Sequence, residues 1–140
     1  MEAGTKTLTP TESTNRRTVA EIYSALATGN METVLERLAP DIKWTVVPGD
    51  QTGGTYYGPE LVLREALAPL AAVWADFEMT PFEFTAVGDK LFVVGESRGV
   101  HRASGKVGTA RFVHVWHLRD GIAYRFESVS DTHAMWRATR

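Results

Sequence analysis

Residues 107–118, VGTARFVHVWHL, alternate between two kinds of side chain, and this alternation constrains the fold more than any other feature of the chain. Successive side chains of an extended strand point to opposite faces. Ala110, Phe112, His114, Trp116 and Leu118 therefore share one face, and Arg111, Val113, Val115, His117 and Arg119 share the other. The first set carries no fixed charge, so it is the face expected to meet a core. KLFVVGESRGVH (90–101) sorts in the same way, with Leu91, Val93, Gly95, Ser97 and Gly99 set against Phe92, Val94, Glu96, Arg98 and Val100. In IAYRFESVSD (122–131), the expected inner set is Ile122, Tyr124, Phe126, Ser128 and Ser130. RASGK (102–106) and Arg119-Asp120-Gly121 read as the turns that join these strands.

The first half of the chain has a different period. Thr9-Pro10-Thr11-Glu12 resembles a capping box, and Val19, Ile22, Tyr23, Leu26 and Ala27 follow at helical spacing until Gly29-Asn30. Met31, Val34, Leu35 and Leu38 predict a second, short helix that Pro40 ends. Asp41–Val47 reads as a strand with Ile42, Trp44 and Val46 on one side. PGDQTGGTYYG (48–58) is too rich in Gly and Pro for regular structure, and its Tyr56 and Tyr57 are placed to close over something. A third helix starts at Pro59, is expected to kink or break at Pro69, and carries Val73 and Trp74 at the end of its apolar side. Residues 76–87 alternate with a change of phase near Pro81, which suggests a bulge or an edge. Asp131-Thr132 caps a short terminal segment. Helices, a short strand, a helix and then four strands imply an α+β domain, with helices packed on one face of a curved sheet.

Bulk properties bound the function. A chain of 140 residues fits one domain, expected over residues 11–140 behind a flexible N-terminal arm at 1–10. The absence of cysteine excludes a disulfide scaffold, a thiolate metal site and a cysteine nucleophile. Fifteen basic against 17 acidic residues, a net charge of −2, call for neither nucleic acid nor an anionic membrane as partner. No apolar run approaches the roughly 20 residues of a membrane helix, and the N-terminus lacks the apolar core of a signal peptide, so a cytoplasmic protein is expected. His114 and His117 fall on opposite faces and cannot chelate a metal together, so no metal site is expected.

The inner face carries large apolar residues at one end and small ones, Gly95, Ser97, Gly99, Ser128 and Ser130, at the other. Such a sheet leaves a cavity suited to a small molecule or lets a helix approach closely. Its mixed outer face, with Phe92, Val94, Val113 and Val115 among charges, is suited to a homodimer interface.

Tyr23 with ALATGNMETVLERLAPDIKW, then YYGPELVLREAL, HVWHLRDG and the closing SDT, resembles the SnoaL-like group of the nuclear transport factor 2-like superfamily, over roughly residues 15–136. The resemblance implies a cone-shaped barrel, a curved mixed or antiparallel sheet wrapped around three to four N-terminal helices, with a deep apolar pocket and frequent dimers. It implies activities such as those of ketosteroid isomerase, limonene epoxide hydrolase, scytalone dehydratase and polyketide cyclases, while some members of the fold only bind. The isomerase's tyrosine donor corresponds to Tyr23 and its protonated aspartate to His114. Its general-base aspartate would fall near Val47, where no carboxylate stands. The epoxide hydrolase's ionisable set would fall near Gly95, Ser97 and Ser128, and its water-holding residues near Trp44 and Val46, so neither mechanism carries over.

These considerations yield a set of candidates. His114 is either an acid or base working near neutral pH or a neutral core histidine bonded to a serine or tyrosine. Tyr23 either donates to a ligand oxygen or completes the apolar face of its helix. Trp44, Val46, Tyr57, Trp74, Ser97, Phe112, Trp116, Phe126, Ser128 and Ser130 are the expected lining. Arg98, Arg111, Arg125, Glu96 and Glu127 are expected to pair across the outer face. The leading expectation is an enzyme of proton transfer (an isomerase, dehydratase or cyclase) acting on an apolar oxygenated molecule with no cofactor. The alternatives are a non-catalytic binding protein and a dimeric interaction module.

Overall fold

The computed structural model describes residues 7–140, so most of the expected N-terminal arm, residues 1–6, lies outside the described residues. Helix α1, Pro10–Thr28, begins where the capping box predicts. Thr9 Oγ1 accepts from the Glu12 N–H at 3.1 Å, and the Thr9 N–H donates to Glu12 Oε1 at 3.0 Å. Thr9→Ala removes half of this exchange and should lower the unfolding free energy by about 1 kcal/mol in urea titration. Gly29, at φ 73, closes the helix in the left-handed region.

Helix α2, Met31–Glu36, is shorter than its apolar pattern suggests. Leu38 does not belong to it. That residue opens strand β1, Leu38–Val46, opposite Ala123. Pro40 therefore sits inside a strand, at an irregularity between Leu38 and Lys43, and does not terminate the helix. The Gly- and Pro-rich segment also departs from expectation. Gly54–Tyr57 forms an edge strand, β2, antiparallel to β1.

The third helical run crosses Pro69 without breaking. It consists of α3, Pro59–Leu61, a π-helical segment, Val62–Leu67, and α4, Ala68–Val73. Proline lacks an N–H, and its ring crowds the carbonyl four residues back. Here the preceding turn widens, so that the Ala68 N–H bonds to the Leu63 carbonyl. Trp74 lies beyond the helix, at the start of a strand.

Four strands follow: β3, Trp74–Val87; β4, Lys90–His101; β5, Val107–Arg119; and β6, Ile122–Ser130. The six-stranded sheet has the order β2-β1-β6-β5-β4-β3. The β1–β6 pair is parallel and the others are antiparallel, so the sheet is mixed. It is also open, with β2 and β3 as its edges. The bulge expected near Pro81 is present between Pro81 and Glu83, and a second lies between Ala75 and Glu78. Asp120 and Gly121, at φ 52 and 73, make the two-residue hairpin turn. Asp131 Oδ1 accepts from the Ala134 N–H and caps α5, Thr132–Ala138.

Strand parity holds on β4 and β5, where Leu91, Val93, Ala110, Phe112, His114, Trp116 and Leu118 are all buried. It fails at the start of β6. Leu118 faces Ala123 and His117 faces Arg125, which leaves Tyr124 as an extra residue. Ala123 thus enters the core, while Tyr124 turns outward beneath Arg119, whose guanidinium lies 4.5 Å from its ring centroid. On the outer face Arg125 and Glu127 pair at 2.9 Å along their own strand, and Arg111 lies over Phe82. Among the described residues, no helix is long and apolar enough to cross a membrane.

Candidate functional site

The inner face of β5 meets α1 through a short polar chain inside an aromatic core. Ile22 and Tyr23 fall on the buried stripe of α1, which sets Tyr23 opposite β5. The Trp116 indole N–H donates to Tyr23 Oη at 3.2 Å, and Tyr23 Oη lies 2.5 Å from His114 Nδ1. Phe112 stacks on the His114 ring, with centroids 3.9 Å apart at 14°, and Phe126 meets it edge-on at 4.9 Å. These contacts fix the imidazole in one orientation.

Burial sets its protonation. It lowers the His114 pKa to about 3 and raises that of Tyr23, the latter opposed in part by the hydrogen bond from Trp116. Both groups are neutral at pH 7. A hydroxyl that accepts a hydrogen bond becomes a better donor, and a phenol oxygen is a poorer acceptor than an imidazole nitrogen. The chain therefore runs from Trp116 N–H to Tyr23 O–H to His114 Nδ1, and the single imidazole proton sits on Nε2. Among the described residues, the side-chain hydrogen bond of His114 is the one at Nδ1. Of the two readings of His114, burial and the Tyr23 contact favour the neutral histidine bonded to a tyrosine. His114 can donate a hydrogen bond but carries no charge to give away. His117 points to the opposite face, 3.9 Å from Glu127, as parity requires.

His114 and Tyr23 line a chamber of about 70 Å³, together with Trp44, Val46, Ser97, Trp116, Phe126, Ser128 and Ser130. Strands β1, β4, β5 and β6 each contribute to this wall, and Ala66 and Leu67 of the π-helical segment close it. Three expected lining residues lie elsewhere. Phe112 is buried behind His114. Trp74 faces an adjoining cavity, and its indole N–H donates to Gln51 Oε1 at 2.9 Å. Tyr57, 60% exposed on edge strand β2, takes no part in the lining. Gly95 leaves no cavity, because Phe112 fills the space beside it.

Among the lining residues that sequence reasoning missed, Asp50 is the charged one. Its Oδ1 accepts from the Thr52 N–H at 3.1 Å, and the Ser130 hydroxyl approaches Oδ2 at 3.4 Å. The available signal was Asp-Gln-Thr-Gly, since an aspartate bonding two residues ahead is the mark of an Asx turn. That turn aims the carboxylate inward from a loop otherwise expected to be irregular. Among the described residues, Asp50 is the one carboxylate of the chamber wall. No three His, Cys, Asp or Glu side chains converge as a metal site among the described residues.

Comparison with known families matches the SnoaL-like domain to residues 19–126. A comparison with curated proteins finds no match. Among solved structures, an NTF2-like protein of unknown function from Burkholderia pseudomallei is similar with a TM-score of 0.82 and 34% identity, over 89% of this chain and 96% of that one. TerC, co-crystallised with polyporic acid, has a TM-score of 0.80 and 30% identity, over 89% of this chain and 97% of that one. A Jannaschia protein provisionally described as a SnoaL-like polyketide cyclase has a TM-score of 0.84 over 96% of each chain, and at 19% identity its likeness is one of fold alone.

Proposed function

The chain belongs to the SnoaL-like domain family, and from that premise we propose that its cavity binds an apolar carbonyl compound and moves a proton on it. The observation that carries this reading is the hydrogen-bond chain of Trp116, Tyr23 and His114, which ends in an N–H inside an aromatic chamber. Such a chamber accepts an oxygen that can receive a hydrogen bond and leaves a hydroxyl donor without a partner at that point. TerC, the relative crystallised with polyporic acid, supports reading the cavity as a site for a small organic molecule.

In the proposed reaction the ligand carbonyl oxygen lies on His114 Nε2–H. Asp50 takes a proton from the carbon next to the carbonyl. The C–H electron pair becomes the new C=C bond, and negative charge moves to the oxygen. The Nε2–H bond strengthens as that charge develops, which is the condition for catalysis. Return of the proton to the same carbon gives exchange, and return to another carbon gives isomerisation. Tyr23 is a positioning residue that holds the imidazole proton on Nε2. The same reading keeps Val113 and Val129, exposed and opposite each other on the outer face, at a homodimer surface.

The test is deuterium uptake from D₂O at the α-carbons of 4-phenylbutan-2-one, followed by proton NMR. The parent protein should catalyse it, and Asp50→Asn should abolish it. His114→Phe should lower kcat/KM by about 10²–10³-fold, the usual cost of losing one oxyanion donor. Uptake unchanged in His114→Phe sinks the mechanism. Saturable binding without uptake by the parent makes the protein a carrier and not an enzyme.

A further inference from the structure

The chamber around His114 is too small for the ligand it is built to hold. At about 70 Å³ it has less than half the volume of a 150 Å³ cavity that takes one benzene. It admits a carbonyl head group, and any ring attached to that head must lie beyond the wall. Two larger cavities adjoin it. One, of about 450 Å³, lies against Leu63, Leu67, Ala68 and Ala71 and is walled mainly by aliphatic side chains. The other, of about 250 Å³, lies under α5 and shares Asp50, Ser97 and Ser130 with the inner chamber, so part of the boundary between those two is polar. Leu70 and Phe77 line all three cavities and form the partition.

The cavity under α5 has flat aromatic walls. Trp74 is buried and held in place by its bond to Gln51, and Gly99 and Gly108 let it approach the sheet closely, since a Cβ on either would come within 3.1 Å of the indole side chain. Phe77 and Trp136 face the same space. A rigid indole wall beside a partly polar boundary suits a flat ring whose linker carries the oxygen function.

We propose that the cavity under α5 is an aryl subsite, so that the substrates are two-part molecules, a small carbonyl head in the inner chamber and an aromatic ring against Trp74. This deepens the reading given above and rests on it for the position of the head. Leu70 and Phe77 then set the distance between the two parts.

Two probes share one head: butan-2-one, and 4-phenylbutan-2-one, which adds the ring. Two variants fill the outer cavity from opposite sides, Ala110→Leu on β5 and Met135→Trp on α5, and neither residue lines the inner chamber. Binding is read by calorimetry and turnover by deuterium uptake. The parent should prefer the phenyl compound at least tenfold in both Kd and kcat/KM. Each filling variant should erase that preference while leaving butan-2-one uptake unchanged. Equal handling of the two ketones by the parent overturns the subsite and leaves the proton-transfer reading standing. A preference that survives both variants also overturns it and moves the ring to the aliphatic cavity. A ring preference in binding, lost on filling but without uptake of either ketone, overturns the chemistry and keeps the subsite. No binding of either ketone overturns both.

Discussion

The parent protein should lose stability steadily as the pH falls from 6.5 towards 3, and His114→Gln should lose much less. In the folded chain, burial holds the His114 pKa at about 3, against an unfolded value near 6.5. Between these limits the unfolded chain takes up a proton that the folded chain refuses. Stability therefore rises with pH across this window, is at its full value above pH 6.5, and is drained by acid. One such group contributes a slope approaching about 1.4 kcal/mol per pH unit, so the loss reaches several kcal/mol, against a typical total stability of about 5–15 kcal/mol. Glutamine keeps an acceptor for the Tyr23 hydroxyl and an N–H for the chamber, but does not titrate. Urea unfolding of both proteins at pH 7, 6, 5 and 4 isolates the effect, because carboxylate titrations common to the two cancel in the difference. Parallel curves would mean that His114 protonates freely in the folded state, and the neutral donor at the centre of the proposed site would go with it.

The same residue marks how far the sequence could be read. Alternation on β5 puts His114 on the buried face and His117 on the opposite one, as the structure has them. Alternation is local, so it survives folding wherever the ladder is regular. It says nothing of what stands opposite. The 2.5 Å contact with Tyr23 joins positions 91 residues apart and orients the imidazole, while burial keeps it neutral. The failures share a cause. Tyr124 is the one extra residue of a bulge that inverts the phase of β6, Pro40 lies in a wider irregularity of β1, and no single-strand pattern reports an irregularity set by the partner strand. The Gly and Pro content around Tyr57 predicts an irregular loop, yet pairing with β1 makes residues 54–57 an edge strand and turns the ring to solvent. Asp50 lies in the same segment. Its importance depends on Ser130, 80 residues away, and on an Asx turn that only the backbone reveals.

Gly95→Ala should be the most damaging one-atom change in the sheet, lowering the unfolding free energy by about 3 kcal/mol and the Tm by about 10 °C. A Cβ at this position would overlap both the tip of the Phe112 ring and the carbonyl oxygen of Thr80. The ring can swing aside, but the carbonyl belongs to β3 next to the Pro81–Glu83 bulge and can retreat only if the strand moves. Phe112→Leu introduced beside Gly95→Ala should therefore restore part of the loss and not all of it, and thermal unfolding of the single and double variants measures the split. Full recovery would mean that the ring alone crowds the site and that the β3 backbone is free to adjust. The damage should also reach the candidate site. Phe112 lies over Gly95 on one side and stacks on His114 at 3.9 Å on the other, so a ring pushed off the glycine presses on the imidazole. Deuterium uptake by Gly95→Ala, measured at a temperature where the variant is still folded, should fall together with that of His114→Phe. If uptake is kept while stability is lost, the curvature of the sheet and the pose of the imidazole are independent, and the small residues of β4 serve the fold alone.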